Sequence, residues 1–194
     1  MTDASGSPSA LAGFVAGMDA VLAAGPPPGQ AMHAARTLMQ ALVARDDWLD
    51  PAFAAPHPTY YQQYLLHLDA QGRYSVVSFV WGPGQATPVH DHGTWGVIGM
   101  LRGAECSQGY VLTPQGVAPH GEEERLLPGD TALVSPEVGD IHRVRNAFDD
   151  RVSISIHAYG TDIGRQRRHV YDLASGAAKP FVSGYANADR AGAP

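Results

Sequence analysis

The stretch Thr87–Gly103, TPVHDHGTWGVIGMLRG, sets two histidines one residue apart and follows them with an apolar run broken by glycines. Alternate side chains of an extended chain point the same way, so His90 and His92 face one side and Asp91 the other. A rise of roughly 3.3 Å per residue puts the two histidines about 7 Å apart at Cα, close enough for their rings to converge on one metal ion. The pair alone also suits two polar residues on an ordinary strand. A third ligand and a barrel to hold it would decide between the two.

Working outward, the chain from Tyr60 onward is a series of short runs rich in Val, Ile, Tyr and Phe: YYQQYLLHL, RYSVVSFVW, WGVIGMLRG, CSQGYVLTP, DTALVSP, IHRVRNA and RVSISIHAYG. Glycine and proline separate them, which predicts an antiparallel sandwich or barrel. Upstream the period changes. Leu11, Phe14, Val15, Met18, Val21 and Leu22 recur at helical spacing, GPPPG at 25–29 ends that helix, and Met32, Ala35, Leu38, Met39 and Leu42 mark a second. The expected plan is a helical segment at 1–50 packing on a barrel domain at 51–194, with a loose polar tail over residues 1–9. His120 is assigned to a polar loop and Glu122–Glu124 to a solvated turn. A strand is expected around Arg168–Asp172, followed by an irregular end.

Composition narrows the function classes. The 194 residues are 44% hydrophobic, enough to bury a sizeable core. A formal charge of -6 gives no basic face for nucleic acid, and no apolar run is long enough to span a bilayer. The N-terminus does not read as a signal peptide, and a single cysteine, Cys106, excludes an internal disulfide. Both features lead us to expect a cytoplasmic protein. Oligomeric state is left open by the sequence.

About fifty residues beyond the first pair comes GDTALVSPEVGDIHRVRN, containing His142 and Asn146. The two segments together resemble the paired motifs of the cupin superfamily. Gly84, His90, His92 and Gly103 match the first, and Gly129, Pro136, Gly139, His142 and Asn146 the second. The resemblance implies a mainly β, double-stranded β-helix (jelly-roll) barrel with His90, His92 and His142 as metal ligands. The acidic position of the first motif is held by Gly96. Three neutral imidazoles leave a divalent ion its full charge and open positions, which suits iron with an anionic substrate and equally suits zinc.

In RVSISIHAYG, Val152, Ile154 and Ile156 share one face of a strand and Ser155, His157 and Tyr159 share the other. Ser-x-His-x-Tyr after cupin motifs without the acidic ligand resembles the thiol dioxygenases, the family of cysteine dioxygenase and 3-mercaptopropionate dioxygenase, over about Tyr60 to Asp172. That resemblance implies Fe(II) on the three histidines, Ser155, His157 and Tyr159 as a relay beside it, and a small thiol and O2 as partners. Where the animal enzyme has a carboxylate-binding arginine, this chain has Gln63; where it has a cross-linked cysteine, the corresponding position is Gly96. A neutral amide does not replace an arginine fork, so the carboxylate is expected either on the metal or paired with another cation, for which Arg168 is the candidate, pointing inward while Arg165 and Arg167 point out. These differences resemble the bacterial enzymes that convert 3-mercaptopropionate to 3-sulfinopropionate. Cysteine dioxygenase and a non-catalytic ligand-sensing cupin are the alternatives. Trp81 and Trp95 are expected to wall the pocket or pack the barrel.

Overall fold

The computed structural model describes residues 9–188, so all but the last residue of the expected N-terminal tail lies outside the described residues. Helices α1 (Ala10–Ala23) and α2 (Pro28–Val43) come first. Ser9 caps α1, its hydroxyl accepting from Ala12 N at 3.2 Å. The proline run that stops α1 also starts α2, because Pro28 sits in the first turn, where a missing N–H costs nothing.

Among the described residues ten strands follow: β1 (Gln62–Leu68), β2 (Ser75–Trp81), β3 (Gly96–Arg102), β4 (Glu105–Thr113), β5 (Gly116–Leu126), β6 (Thr131–Val134), β7 (His142–Asn146), β8 (Ser153–Tyr159), β9 (Arg168–Tyr171) and β10 (Ala178–Phe181). They form a five-stranded sheet, β1-β2-β8-β3-β6, a three-stranded sheet, β5-β4-β7, and a β9–β10 hairpin. After β2 the chain runs to the second sheet, where Ala86 and His90 bridge Arg145 and His142. It returns for β3, crosses for β4 and β5, and alternates again through β6, β7 and β8. This is the double-stranded β-helix of a cupin, as the motifs predict.

The central strands of the large sheet, β2, β8 and β3, are buried on both faces. On its outer face Val76, Val80, Val97, Leu101, Ile154 and Ile156 form one core with Phe14, Met18, Met32 and Met39 of the helices. On its inner face Val77, Phe79 and Trp81 meet Tyr159, and Ile98 and Met100 meet Leu126 and Val134. Every residue of β8 is therefore buried, Ser155 and His157 included. Helix α2 approaches closely because β3 carries Gly99: a Cβ there would lie 2.6 Å from Met39 Cγ and 2.8 Å from Val43 Cγ1.

Three expectations need correction. Residues 116–126, assigned to a loop and a turn around His120 and Glu122–Glu124, form β5. It is an edge strand whose middle faces solvent, so charged residues replace the alternating apolar signal and protect the edge. Glu123 pairs there with Arg145 of β7. The His90–His92 segment is extended but is no regular strand, being held by isolated bridges to His142 and Val170. The irregular end contains β10, paired with β9.

Met39 is fully buried on the helix side of the sheet, away from the inner face. Met39→Ala should lower stability by about 2–5 kcal/mol, the usual cost of such a cavity, measured by denaturant unfolding. Bound metal per chain should stay unchanged.

Candidate metal centre

His90 and His142 form a reciprocal backbone pair, His90 N to His142 O at 2.9 Å and His142 N to His90 O at 3.0 Å. On its other side the same segment meets β9, with Tyr171 N donating to Val89 O at 2.9 Å and Asp91 N to His169 O at 3.1 Å. Asp91 turns away from the histidines, as alternation predicts, accepting from Tyr171 OH at 2.7 Å and His169 N at 2.7 Å. His90, His92 and His142 are left facing one another.

Their ring centroids are 4.9, 4.8 and 4.9 Å apart, a near-equilateral triangle. One nitrogen from each lies within 4.8 Å of the other two. Each Nδ1 already has a partner: Pro88 O at 3.1 Å for His90, Asp140 Oδ1 at 3.1 Å for His92, and Ser107 Oγ at 3.2 Å for His142. Acceptors at Nδ1 hold the proton there and leave the Nε2 lone pairs for a metal. Burial, then the neighbouring His92, pushes His90 down to about 3, and burial with the charges of His90 and His92 holds His142 well below the usual imidazole value. Neutral imidazoles are the ligating form, so the donor set fits a divalent metal.

Asp140 is the residue that the sequence reading missed here. Its Oδ1 accepts from His92 N and its Oδ2 from Gly93 N, both at 3.0 Å, beside the bond to the His92 ring. Burial pulls its carboxyl upward, but these hydrogen bonds outweigh that and leave it below the ordinary range. Its position two residues before a candidate ligand was the available signal.

The β8 row lies against this cluster. His157 Nδ1 is 2.8 Å from Tyr159 OH and His157 Nε2 is 2.8 Å from Ser155 Oγ. Trp81, whose place the sequence left undecided, lies on the inner face and donates from Nε1 to Ser155 Oγ at 3.0 Å. Phe79 stacks on His157 at 4.1 Å, and Tyr159 stacks on His92 at 5.5 Å. Burial raises the Tyr159 phenol and lowers His157 well below its usual value, so both are neutral. A Cβ on Gly96 would sit 2.8 Å from the Tyr159 ring, which is why a carboxylate or a cysteine at this position would displace the phenol. Trp95 is elsewhere, its indole packed over Gly160 in the space that a Cβ there would fill. Cys106 is buried beside the Glu123–Arg145 pair.

Gln63 and Arg168 meet at a residue that no sequence pattern marked. Ser183 Oγ accepts from Gln63 Nε2 at 3.1 Å and from Arg168 Nη2 at 2.7 Å. Arg168 is buried over the Phe181 ring, with Nε lacking any hydrogen-bond partner among the described residues, while Arg165 and Arg167 are exposed. A cleft lined by Tyr61, Gln63, Ser183 and Tyr185 opens beside it.

The family model for cysteine dioxygenase type I matches residues 33–170, which include all three histidines and the Ser-His-Tyr row. The chain belongs to the cysteine dioxygenase type I family. It is thereby a cysteine-dioxygenase-like thiol dioxygenase of a metalloenzyme family, and the three-histidine cluster fits the metal. The chain is also similar to the TT1209 protein of Thermus thermophilus (22% identity, TM-score 0.45, covering 57% of this chain and 92% of that one). A second similar structure is an uncharacterized conserved protein with a double-stranded β-helix domain from Klebsiella pneumoniae (17%, 0.46, 72% and 98%). A third is a cupin superfamily protein from Desulfitobacterium hafniense (12%, 0.43, 56% and 84%). Among the described residues, no helix is long and apolar enough to cross a membrane.

Asp140→Ala should weaken metal retention roughly 10–100-fold, read by competition with a chelator, because it frees the His92 ring and its loop together. Gly96→Ala should leave metal retention near normal yet cut turnover on the order of 100-fold, since it moves the Tyr159 ring rather than a ligand.

Proposed function

We propose that this is an Fe(II) thiol dioxygenase acting on a small thiol carboxylate, most directly 3-mercaptopropionate, which it converts to 3-sulfinopropionate. The reaction balances without a further reductant: the sulfur is oxidised from thiol to sulfinic acid and both atoms of O2 end on it. The observation that carries the substrate class is Arg168, a buried cation with an unused donor, joined through Ser183 to Gln63.

His90, His92 and His142 would hold the iron, which when bound supplies the redox chemistry. The chain's own residues do the rest. Arg168 and Gln63 bind and orient the substrate carboxylate through N–H donors. Tyr159 supplies a phenol whose ring stacks on His92, and His157 fixes the direction of its hydroxyl. Ser155, held by Trp81, fixes His157 in turn. Phe79 and Trp81 keep this side of the barrel dry.

Gln63, in the place where the animal cysteine enzyme has an arginine, supports 3-mercaptopropionate over cysteine. A reducing cytoplasm, which keeps such substrates as thiols, fits the single reduced cysteine.

The test measures metal content, O2 uptake and products with 3-mercaptopropionate, cysteine and cysteamine. We expect iron and the highest kcat/KM for 3-mercaptopropionate. Arg168→Met should raise KM for 3-mercaptopropionate by about 10–100-fold, the loss of one charge-assisted contact, and leave cysteamine, which has no carboxylate, almost unaffected. Highest kcat/KM with cysteine would assign the chain to cysteine oxidation. Iron-loaded protein that consumes no O2 with any of the three would support a ligand-sensing cupin.

A further inference from the structure

The segment after β10 forms neither strand nor helix, yet it carries one side chain to the Arg168 cleft. Its backbone is held from both sides of that residue, Ser183. Before it, Phe181 pairs with Arg168 across the β9–β10 hairpin and lies 4.7 Å from the guanidinium carbon. After it, Gly184 N donates to Gly164 O at 3.0 Å and Ala186 N to Gln63 O at 2.8 Å. Tyr185 OH donates to Asp162 Oδ1 at 2.6 Å and accepts from Gly164 N at 2.9 Å, its ring filling the space a Cβ on Gly164 would need. Buried Asn187 accepts from Leu65 N at 2.9 Å and donates to Leu65 O at 3.0 Å. All of this lies beyond residues 33–170, so family membership by itself assigns Ser183 no role.

A count of protons shows what Ser183 has left to offer. A serine hydroxyl has one proton to give and two lone pairs to share. Gln63 Nε2 and Arg168 Nη2 can only donate, and they take both lone pairs, at 3.1 and 2.7 Å. Neither neighbouring nitrogen can therefore receive the Ser183 proton. Among the described residues that hydroxyl donates to nothing, and Ser183 is exposed on the wall of the cleft it shares with Tyr61, Gln63 and Tyr185. Arg168 Nε, deeply buried, also lacks an acceptor among the described residues. A guanidinium, an amide and a hydroxyl thus stand around one oxygen, each with an N–H or O–H to spare. The group that answers such a set is an anion with lone pairs on two oxygens, which is a carboxylate.

We propose that Ser183 is a specificity-determining residue: it joins Arg168 and Gln63 into one unit and gives its own O–H to the carboxylate of the thiol substrate. This rests on the substrate class proposed above. Selection follows from the direction of the proton. A thiol that ends in a carboxylate gains a charge-assisted hydrogen bond from Ser183, whereas one that ends in an ammonium meets a third donor. The main-chain bonds on either side keep the hydroxyl in place before the substrate arrives, so little ordering remains to be done on binding.

The test uses full-length protein with Zn(II) in the site, so that thiols bind without being oxidised. Calorimetry measures Kd for 3-mercaptopropionate and for cysteamine. We expect Ser183→Ala to weaken 3-mercaptopropionate about 10-fold, the loss of one hydrogen bond to a charged acceptor, and cysteamine less than about 2-fold. Ser183→Thr keeps the hydroxyl and should recover most of the loss. In an Arg168→Met background the effect of Ser183→Ala should shrink, because both groups act on one carboxylate. Equal weakening of the two thiols, an unchanged Kd for 3-mercaptopropionate, or no binding of it to the wild type overturns the proposal. Should Ser183→Ala not fold, Ser183→Gly removes the same hydroxyl and is read in the same way. Oxygen uptake by iron-loaded protein separates this from the proposed function. Turnover of 3-mercaptopropionate together with equal weakening of both thiols refutes the role of Ser183 alone. Carboxylate-selective loss without any turnover refutes the oxidation and leaves Ser183 its role.

Discussion

Two backbone hydrogen bonds between His90 and His142 hold the site together. They join two separate segments of the barrel sequence in one short antiparallel pair. The jelly-roll crossing makes that pair possible, since it brings the chain after β2 alongside β7 before returning it to β3. With two candidate ligands fixed by main chain, the third follows from alternation, because His92 is two residues on from His90. Asp140 then clamps the His92 backbone and ring together. None of the three imidazoles relies on its own side-chain torsions alone, which is what a metal site needs to be ready before its ion arrives.

Strand β8 divides stability from chemistry. Its even-numbered residues, Ile154 and Ile156, join the core under the helices, and its odd-numbered ones carry the polar row into the barrel. Buried polar groups are expensive unless bonded, and the barrel meets that cost with a dense network. Asn146, part of the second motif, belongs to it without touching a ligand: its amide donates to Trp81 O, Gly82 O and Arg151 O, and its oxygen accepts from Ser153 and Phe148 N. The asparagine of that motif is therefore architecture.

Much of this was legible because period-two patterns are geometric statements. The opposed directions of His90 and Asp91, and of Ile154 and Ser155, follow from alternation alone, and the strand runs of the large sheet are visible as apolar blocks. β5 was not legible, since an edge strand facing solvent has no apolar face to declare it. Ser107 was hidden because a hydrogen bond to a ring nitrogen leaves no trace in spacing, and Asp140 offered only its place two residues before His142. Ser183 was hidden for a different reason. It meets Gln63 across 120 residues of chain, a contact set by tertiary closure alone.

That closure has an order in time. Residues 183–187 lie along β1, with Ala186 N bonded to Gln63 O and the Asn187 side chain spanning both main-chain groups of Leu65. During synthesis from the N-terminus, the three imidazoles have all been added to the chain before Ser183 is made. The Gln63–Ser183–Arg168 junction is therefore the last part to be completed, well after the three candidate metal ligands are on the chain.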